Sequence, residues 1–152
     1  MKIAFEDVRN GDITAFSKVY GDICDKIYHV AFFSLATEKE ALETVKEAVR
    51  YSYENASSCK NADELKALML KKTCEYIVAR FREYRKSTPS YDPFQTYIKE
   101  QMTRLTDAER LSVAVWAVYG YEVEEISYIT GLALDVVAKK LKSGQEKLSA
   151  KL

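Results

Sequence analysis

Several residue types are scarce in this 152-residue sequence, and their scarcity limits what the chain can be. Only five glycines and two prolines are present, and both prolines, Pro89 and Pro93, lie in one short window. This distribution favours long helices on either side of a single break. No stretch approaches the ~18 apolar residues of a membrane span. The first residues, MKIAFEDVRN, include acidic residues where a secretory signal needs an apolar run. We therefore expect a cytoplasmic protein with no membrane insertion.

The residue types that build catalytic and metal sites are also scarce. His29 is the sole histidine, and it lies in an apolar run without a cysteine cluster beside it. The cysteines, Cys24, Cys59 and Cys74, are widely separated and lack CxxC spacing, which is typical of reduced thiols in a cytosolic protein. The chain has no glycine-rich phosphate loop and no spacing that pairs a nucleophile with a base. We expect no enzyme activity, no catalytic residue, no metal, no cofactor and no small-molecule substrate.

The sequence also lacks an excess of charge of either sign. Lysine plus arginine equals aspartate plus glutamate at 23 each, so the formal net charge is zero. A protein that coats nucleic acid through bulk positive charge is therefore excluded, and any DNA contact must come from local patches.

Apolar residues recur at helical spacing near the start of the chain. A short helix is predicted from Phe5 to Asn10. Asp12 can cap the next helix, whose apolar face continues past Gly21. We predict a helix from Asp12 to Ser34, either continuous or kinked near Gly21. Its inward face consists of Ile13, Phe16, Tyr20, Ile23, Ile27, Val30 and Ala31.

Capping patterns predict the next two helices. Thr37 and Glu40 have the spacing of a capping box. Asn61 and Glu64 form a similar pair after a polar loop, and helical spacing then continues to about Arg85. The end of this helix is basic. The helix dipole favours basic residues at this end, whatever the function of the protein. Its basic residues are Arg80, Arg82, Arg85 and Lys86.

The two prolines separate this part from a second helical unit. They exclude a helix across residues 87–92, and a short lead-in helix is predicted from Pro93 to Met102. Thr106 and Glu109 form another capping box. We predict an all-α fold of two small domains, residues 1–86 and 105–152, joined by a linker at 87–104.

The stretch from Val123 to Leu148 predicts a helix-turn-helix. Gly131 suits the left-handed turn between two short helices, and Ser127 is small where they approach. Gly144 continues the inward spacing of the second helix and predicts close helix packing there. The predicted corner consists of Ile126, Ile129, Leu132, Val137 and Leu141, with Leu134 and Leu148 also facing inward. The second helix then presents Val136, Ala138, Lys139, Lys140 and Lys142 outward, where a DNA reader meets the major groove or phosphates.

This layout resembles the extracytoplasmic-function (ECF) group of sigma-70 transcription initiation factors. The opening from Gly11 to Tyr20 is similar to that family's first helix. The segment Glu40 to Glu47 resembles its acidic helix that docks on core RNA polymerase, with Lys46 where a glutamine is typical. Glu124 to Leu132 resembles its turn motif, and Asp135 to Leu141 stands at the place of its recognition helix.

The resemblance implies two binding sites and their partners. Core RNA polymerase would be bound by Glu40, Glu43, Lys46 and Glu47. Promoter DNA would be bound by Val136, Lys139, Lys140, Lys142, Arg80, Arg82 and Arg85, with the loop from Asn55 to Asn61 capturing unstacked bases. An anti-sigma factor is a further candidate partner.

The sequence departs from the family at several of its DNA contacts. Val136 and Ala138 replace a threonine and a lysine, and Ser143-Gly144-Gln145 replaces an arginine-rich turn. Thr73 and Ile77 stand near positions where the family has an asparagine and an aspartate. Two hypotheses therefore remain: a sigma-like initiation factor, or a divergent sigma mimic that binds polymerase or an anti-sigma factor without reading DNA.

Overall fold

A computed structural model describes residues 5–35, 37–84 and 105–149, and all regular secondary structure in those ranges is helical. A single 3-10 turn, Ala56–Ser58, joins the fourth and fifth α-helices. The α-helices are α1 Phe5–Arg9, α2 Ile13–Gly21, α3 Cys24–Leu35, α4 Glu38–Glu54, α5 Ala62–Tyr84, α6 Asp107–Tyr119, α7 Val123–Thr130 and α8 Leu134–Ser149.

The helix predicted from Asp12 to Ser34 is divided in two, as its kinked form anticipates. Asp12 caps α2, because its Oδ1 accepts hydrogen bonds from the backbone N–H of Thr14 at 2.9 Å and of Ala15 at 3.1 Å. Helix α2 ends at Gly21, and α3 begins at Cys24. The prediction of a kink near Gly21 is therefore confirmed, and the continuous alternative is wrong.

The predicted capping residues begin their helices. Thr37 Oγ1 accepts from the N–H of Glu40 at 3.3 Å at the start of α4. Before α6 both halves of the capping box form: Thr106 Oγ1 accepts from the N–H of Glu109 at 3.3 Å, and Glu109 Oε1 accepts from the N–H of Thr106 at 2.8 Å. These bonds satisfy amide groups that have no partner inside the helix.

Buried side chains from both ends of the chain form one hydrophobic cluster. It runs from Ile27 in α3 and Ile77 in α5 to Leu111 in α6 and Ile126 in α7. Helix α6 packs on α3, and α7 packs on α5. The predicted linker and the lead-in helix from Pro93 to Met102 lie outside the described residues, so the domain boundaries stay predictions.

Two lysine–tyrosine contacts lie where these helices meet. Lys71 Nζ of α5 lies 5.5 Å from the centroid of the Tyr128 ring of α7. Lys26 Nζ of α3 lies 5.3 Å from the centroid of the Tyr119 ring of α6. Both distances are within the range of a cation–π attraction, so these pairs add a directional contact to the apolar packing.

Gly144 lets α8 pack closely on α6, as its inward spacing predicts. A β-carbon at this position would lie 2.7 Å from Val113 Cγ2 and 3.4 Å from the Cβ of Glu109. The first distance is well below normal van der Waals contact. An alanine therefore requires α8 to move or the Val113 side chain to leave its position.

We expect Gly144→Ala to destabilise the protein by about 1–3 kcal/mol, the usual effect of overpacking a core. Equilibrium urea unfolding measures this change. Gly21→Ala is the matched control, because a β-carbon there meets no atom within 4 Å. The control should be neutral or stabilising, since alanine favours a helix over glycine by roughly 1 kcal/mol. Equal stability for both variants would contradict the close packing at Gly144.

Candidate functional site

The helix-turn-helix is closed by hydrogen bonds around Gly131. Gly131 has φ of 78°, in the left-handed region that glycine adopts readily, as predicted. Its N–H donates to the carbonyl of Ser127 at 3.0 Å, and Ser127 Oγ donates to the carbonyl of Leu132 at 2.6 Å. Ile126 and Val137 are fully buried beneath this turn. The turn therefore holds α8 at a fixed angle to α7.

The residues predicted to face DNA from α8 fall into two groups. Lys139 and Lys142 are exposed, whereas Val136 and Lys140 are half-buried. Leu134, predicted to face inward, is instead 50% exposed because it lies in the open first turn of α8. The apolar spacing predicted burial correctly at Val137 and Leu141 but not in the first turn of α8.

A buried carboxylate fixes the far side of α8. Glu109 of α6 is 2% exposed. It accepts hydrogen bonds from Lys147 Nζ at 2.7 Å and from Ser143 Oγ. Burial alone would raise the pKa of Glu109, but the bonds from Lys147, Ser143 and Thr106 outweigh it and lower that pKa to about 2. The side chains of Lys147 and Ser143 are thus engaged by Glu109, on the side of α8 that faces α6.

Two predicted sites meet at Arg80. Its Nη2 lies 2.9 Å from Glu47 Oε1, and its Nη1 lies 3.5 Å from Glu43 Oε2. The Arg80 side chain is only 17% exposed between these carboxylates, whereas each of them keeps about half of its surface. Sequence spacing did not reveal this cluster, because α4 and α5 bring together residues more than thirty positions apart. Because two carboxylates neutralise its positive charge, Arg80 should attract DNA phosphates less than an unpaired arginine would.

A groove runs between α2 and α4, beside the predicted polymerase-binding residues. Its volume is about 510 Å³. Two apolar side chains remain open to solvent, Leu42 at 52% and Ile13 at 60%. Lys46 and Arg50 lie at the groove with them. The groove is lined by Ile13, Phe16, Tyr20, Leu42, Val45, Lys46, Val49, Arg50 and Tyr53.

The other predicted polymerase-binding side chain, Glu40, is half-buried in the first turn of α4. Its backbone N–H is the donor to the capping residue Thr37. Lys46, in contrast, is exposed on the next turns of the same helix. Of the predicted polymerase-binding residues, Glu40 is therefore less accessible to a partner than Glu43, Lys46 and Glu47.

The loop predicted to capture bases is held by one hydrogen bond from α1 and by one within the loop. Arg9 Nη2 donates to the carbonyl of Ser57 at 3.3 Å, and Ser58 Oγ donates to the carbonyl of Asn55 at 2.7 Å. Ser58 and Cys59 border a pocket of about 240 Å³ together with Lys71 and Tyr128. The first helix of the helix-turn-helix therefore lies beside this loop.

Some site predictions cannot be placed. Arg82 and Arg85 fall outside the residues whose side chains are described.

Across residues 5–35, 37–84 and 105–149 no helix has the length and apolar character that crossing a membrane requires. In the same ranges no group of three histidine, cysteine or acidic side chains could hold a metal ion.

Comparison with known proteins identifies the fold. No family model and no curated protein matches the sequence. Among solved structures, CnrH in complex with the cytosolic domain of CnrY matches with a TM-score of 0.68 and 15% sequence identity. The match covers 96% of this chain and 92% of the CnrH chain. The chain has the fold of CnrH.

CnrH is an ECF sigma factor, so the fold implied by the sequence resemblance is confirmed. The likeness to CnrH extends over nearly the whole chain, since 96% of it is covered. The predicted all-α class is confirmed with it. At 15% identity the likeness to CnrH concerns the fold alone.

Proposed function

We propose that the chain is a sigma-like transcription initiation factor that binds core RNA polymerase and directs it to promoter DNA. The observation that carries the proposal is the fold of an ECF sigma factor, shared over 96% of the chain. Such a factor binds and positions its partners and catalyses no reaction itself.

Core RNA polymerase would dock on α4 and the groove beside it. Leu42 and Lys46 are exposed on the groove side, while Glu43 and Glu47 stand on the next stripe of the same helix. Arg80 forms ion pairs with those two carboxylates and so holds them in position on α4. The docking surface is then an apolar groove with charged edges, which suits a stable protein interface.

Promoter DNA would be read by α8. The exposed lysines Lys139 and Lys142 lie on one face, three residues apart, and their ammonium groups can meet phosphates or guanine. Val136 and Lys140 would support this face from the side. With zero net charge and few basic residues here, binding by the chain alone should be weak and should strengthen on polymerase.

We expect replacement of both Lys139 and Lys142 by alanine to weaken DNA binding and flatten its salt dependence. Each lost phosphate contact should reduce the slope of log K against log salt by roughly 0.9. Fluorescence anisotropy across a salt series measures both effects. Lys18 and Lys39, exposed on α2 and α4, are the control pair. The same slope in wild type and in the α8 variant would show that this helix is not the reader.

The second candidate is a sigma mimic that binds a protein partner without reading DNA. Two observations favour it: Arg80 is held by Glu43 and Glu47, and Lys147 is held by Glu109. The matched CnrH structure contains the cytosolic domain of CnrY, an anti-sigma domain, so a partner of that kind is also proposed here.

A pull-down with core RNA polymerase followed by a promoter-binding assay separates the two candidates. An initiation factor should retain the core and give it sequence-selective DNA binding. A mimic should retain a protein partner but leave the DNA binding of the core unchanged. Failure to bind the core at all would contradict the initiation function.

A further inference from the structure

The exposed face of α8 carries an acid as well as the two lysines. Asp135, Lys139 and Lys142 are exposed at spacings of four and three residues, so they form one stripe along the helix. Ala138 is exposed beside them, and Leu134 is 50% exposed at the helix start. We call these five residues the reading stripe.

The charged side chains of the reading stripe form no ion pair within the described part of the protein. Asp135 and Lys139 stand four residues apart in the order that favours an ion pair on a helix. The ion pairs of the described residues nevertheless lie elsewhere, and neither side chain has a hydrogen-bond partner there. Among the described residues, therefore, nothing occupies either group.

The reading stripe matches one kind of base pair in the major groove. A carboxylate only accepts hydrogen bonds, and among base edges it suits the N4 amino group of cytosine. An ammonium group only donates, and it suits O6 and N7 of guanine. A cytosine–guanine pair presents these groups side by side, and the thymine methyl suits an apolar neighbour such as Leu134 or Ala138.

We propose that Asp135 determines sequence specificity by accepting a hydrogen bond from the N4 amino group of a cytosine, while Lys139 donates to a neighbouring guanine. The DNA element read by α8 then contains a cytosine–guanine pair bordered by thymine. The inference rests on the proposed promoter-binding function. A carboxylate close to phosphates is repelled by them, so Asp135 lowers affinity at every site that lacks this cytosine.

Selection of sequences from a random double-stranded DNA library tests the role of Asp135. The full-length chain is used in complex with core RNA polymerase, as wild type, as Asp135→Asn and as Glu146→Gln. Wild type should enrich cytosine at one position, and changing that base in the selected element should weaken binding about tenfold. Asp135→Asn should lose the cytosine preference and favour adenine, which asparagine recognises.

The control variant removes the same charge from the same helix. Glu146 is also exposed, roughly 16 Å further along α8, beyond the first turns that meet base edges. Glu146→Gln should keep the cytosine preference. If Asp135 serves only to stabilise the first turn of α8, Asp135→Asn should change the helix signal in circular dichroism but select the wild-type element.

The failures of the inference and of the proposed function are distinguishable. An enriched element that is identical for wild type and Asp135→Asn, or that contains no cytosine, overturns the role of Asp135 and leaves promoter binding intact. No enriched element from any variant, or no association with the core, contradicts promoter binding itself and the inference with it.

Discussion

Replacing Leu42 by aspartate is expected to weaken binding to core RNA polymerase by at least about thirtyfold, which corresponds to ~2 kcal/mol of a central interface residue. Leu42 is 52% exposed in the groove between α2 and α4, so its removal costs the fold little. A carboxylate there would have to be buried without a partner once the groove is covered. Surface plasmon resonance with immobilised core measures the change in affinity.

Val78→Asp is the matched control for Leu42→Asp. Val78 is 44% exposed on α5, so the same chemical change is made outside the groove. We expect its affinity for the core to remain within about twofold of wild type, because surface changes away from an interface have small effects. If both variants bind as wild type does, polymerase docks somewhere other than the groove.

Reversing the charges of Glu43 and Glu47 is a less direct test of docking than the sequence alone indicates. Lysines at these positions would stand against Arg80, which lies 2.9 Å from Glu47 and 3.5 Å from Glu43. The repulsion would disturb the packing of α4 on α5 as well as any interface. Leu42→Asp avoids this ambiguity because it leaves the Arg80 cluster unchanged.

The second large effect is on the stability of the fold, and it is expected when Glu109 is replaced. Its pKa is lowered to about 2 in the folded protein from a usual value of 4.5. The stabilisation from its ionised form is therefore fully present above pH 4.5 and is lost as the pH falls toward 2. At about 1.4 kcal/mol per pKa unit this amounts to ~3 kcal/mol.

Glu109→Gln should lower the free energy of unfolding at pH 7 by about 2–3 kcal/mol. It should also reduce the loss of stability between pH 4.5 and pH 2, because glutamine does not titrate. Urea unfolding at a series of pH values measures both quantities. Glu146→Gln, exposed on α8, should follow the wild-type curve. A Glu109→Gln curve parallel to that of wild type would show that Glu109 is not held in its charged form by Lys147.

The sequence was sufficient to predict the local features of the fold. Helix starts at Thr37 and Thr106 follow from side chains that satisfy nearby amides. The turn at Gly131 follows from the ease with which glycine adopts a positive φ, and the structure has that φ. Close packing at Gly144 follows from its place on the inward face of α8. Each of these depends on residues within one or two turns, where spacing determines which groups can meet.

The contacts that shape the candidate sites could not be predicted in the same way. Arg80 meets Glu47 at a sequence separation of 33, and Lys147 meets Glu109 at a separation of 38. Both pairs depend on how helices pack, which the spacing along one helix does not determine. The sequence does show Glu109 as a capping residue, but that role alone does not indicate a buried ion pair.

Transcription by reconstituted holoenzyme tests the central claim most directly. Core RNA polymerase is mixed with the full-length chain and a library of promoter fragments, and transcript 5′ ends are mapped by sequencing. An initiation factor should produce start sites that are absent with core alone and that share an upstream element. A core that binds the chain yet starts at the same background positions with and without it would contradict the initiation function.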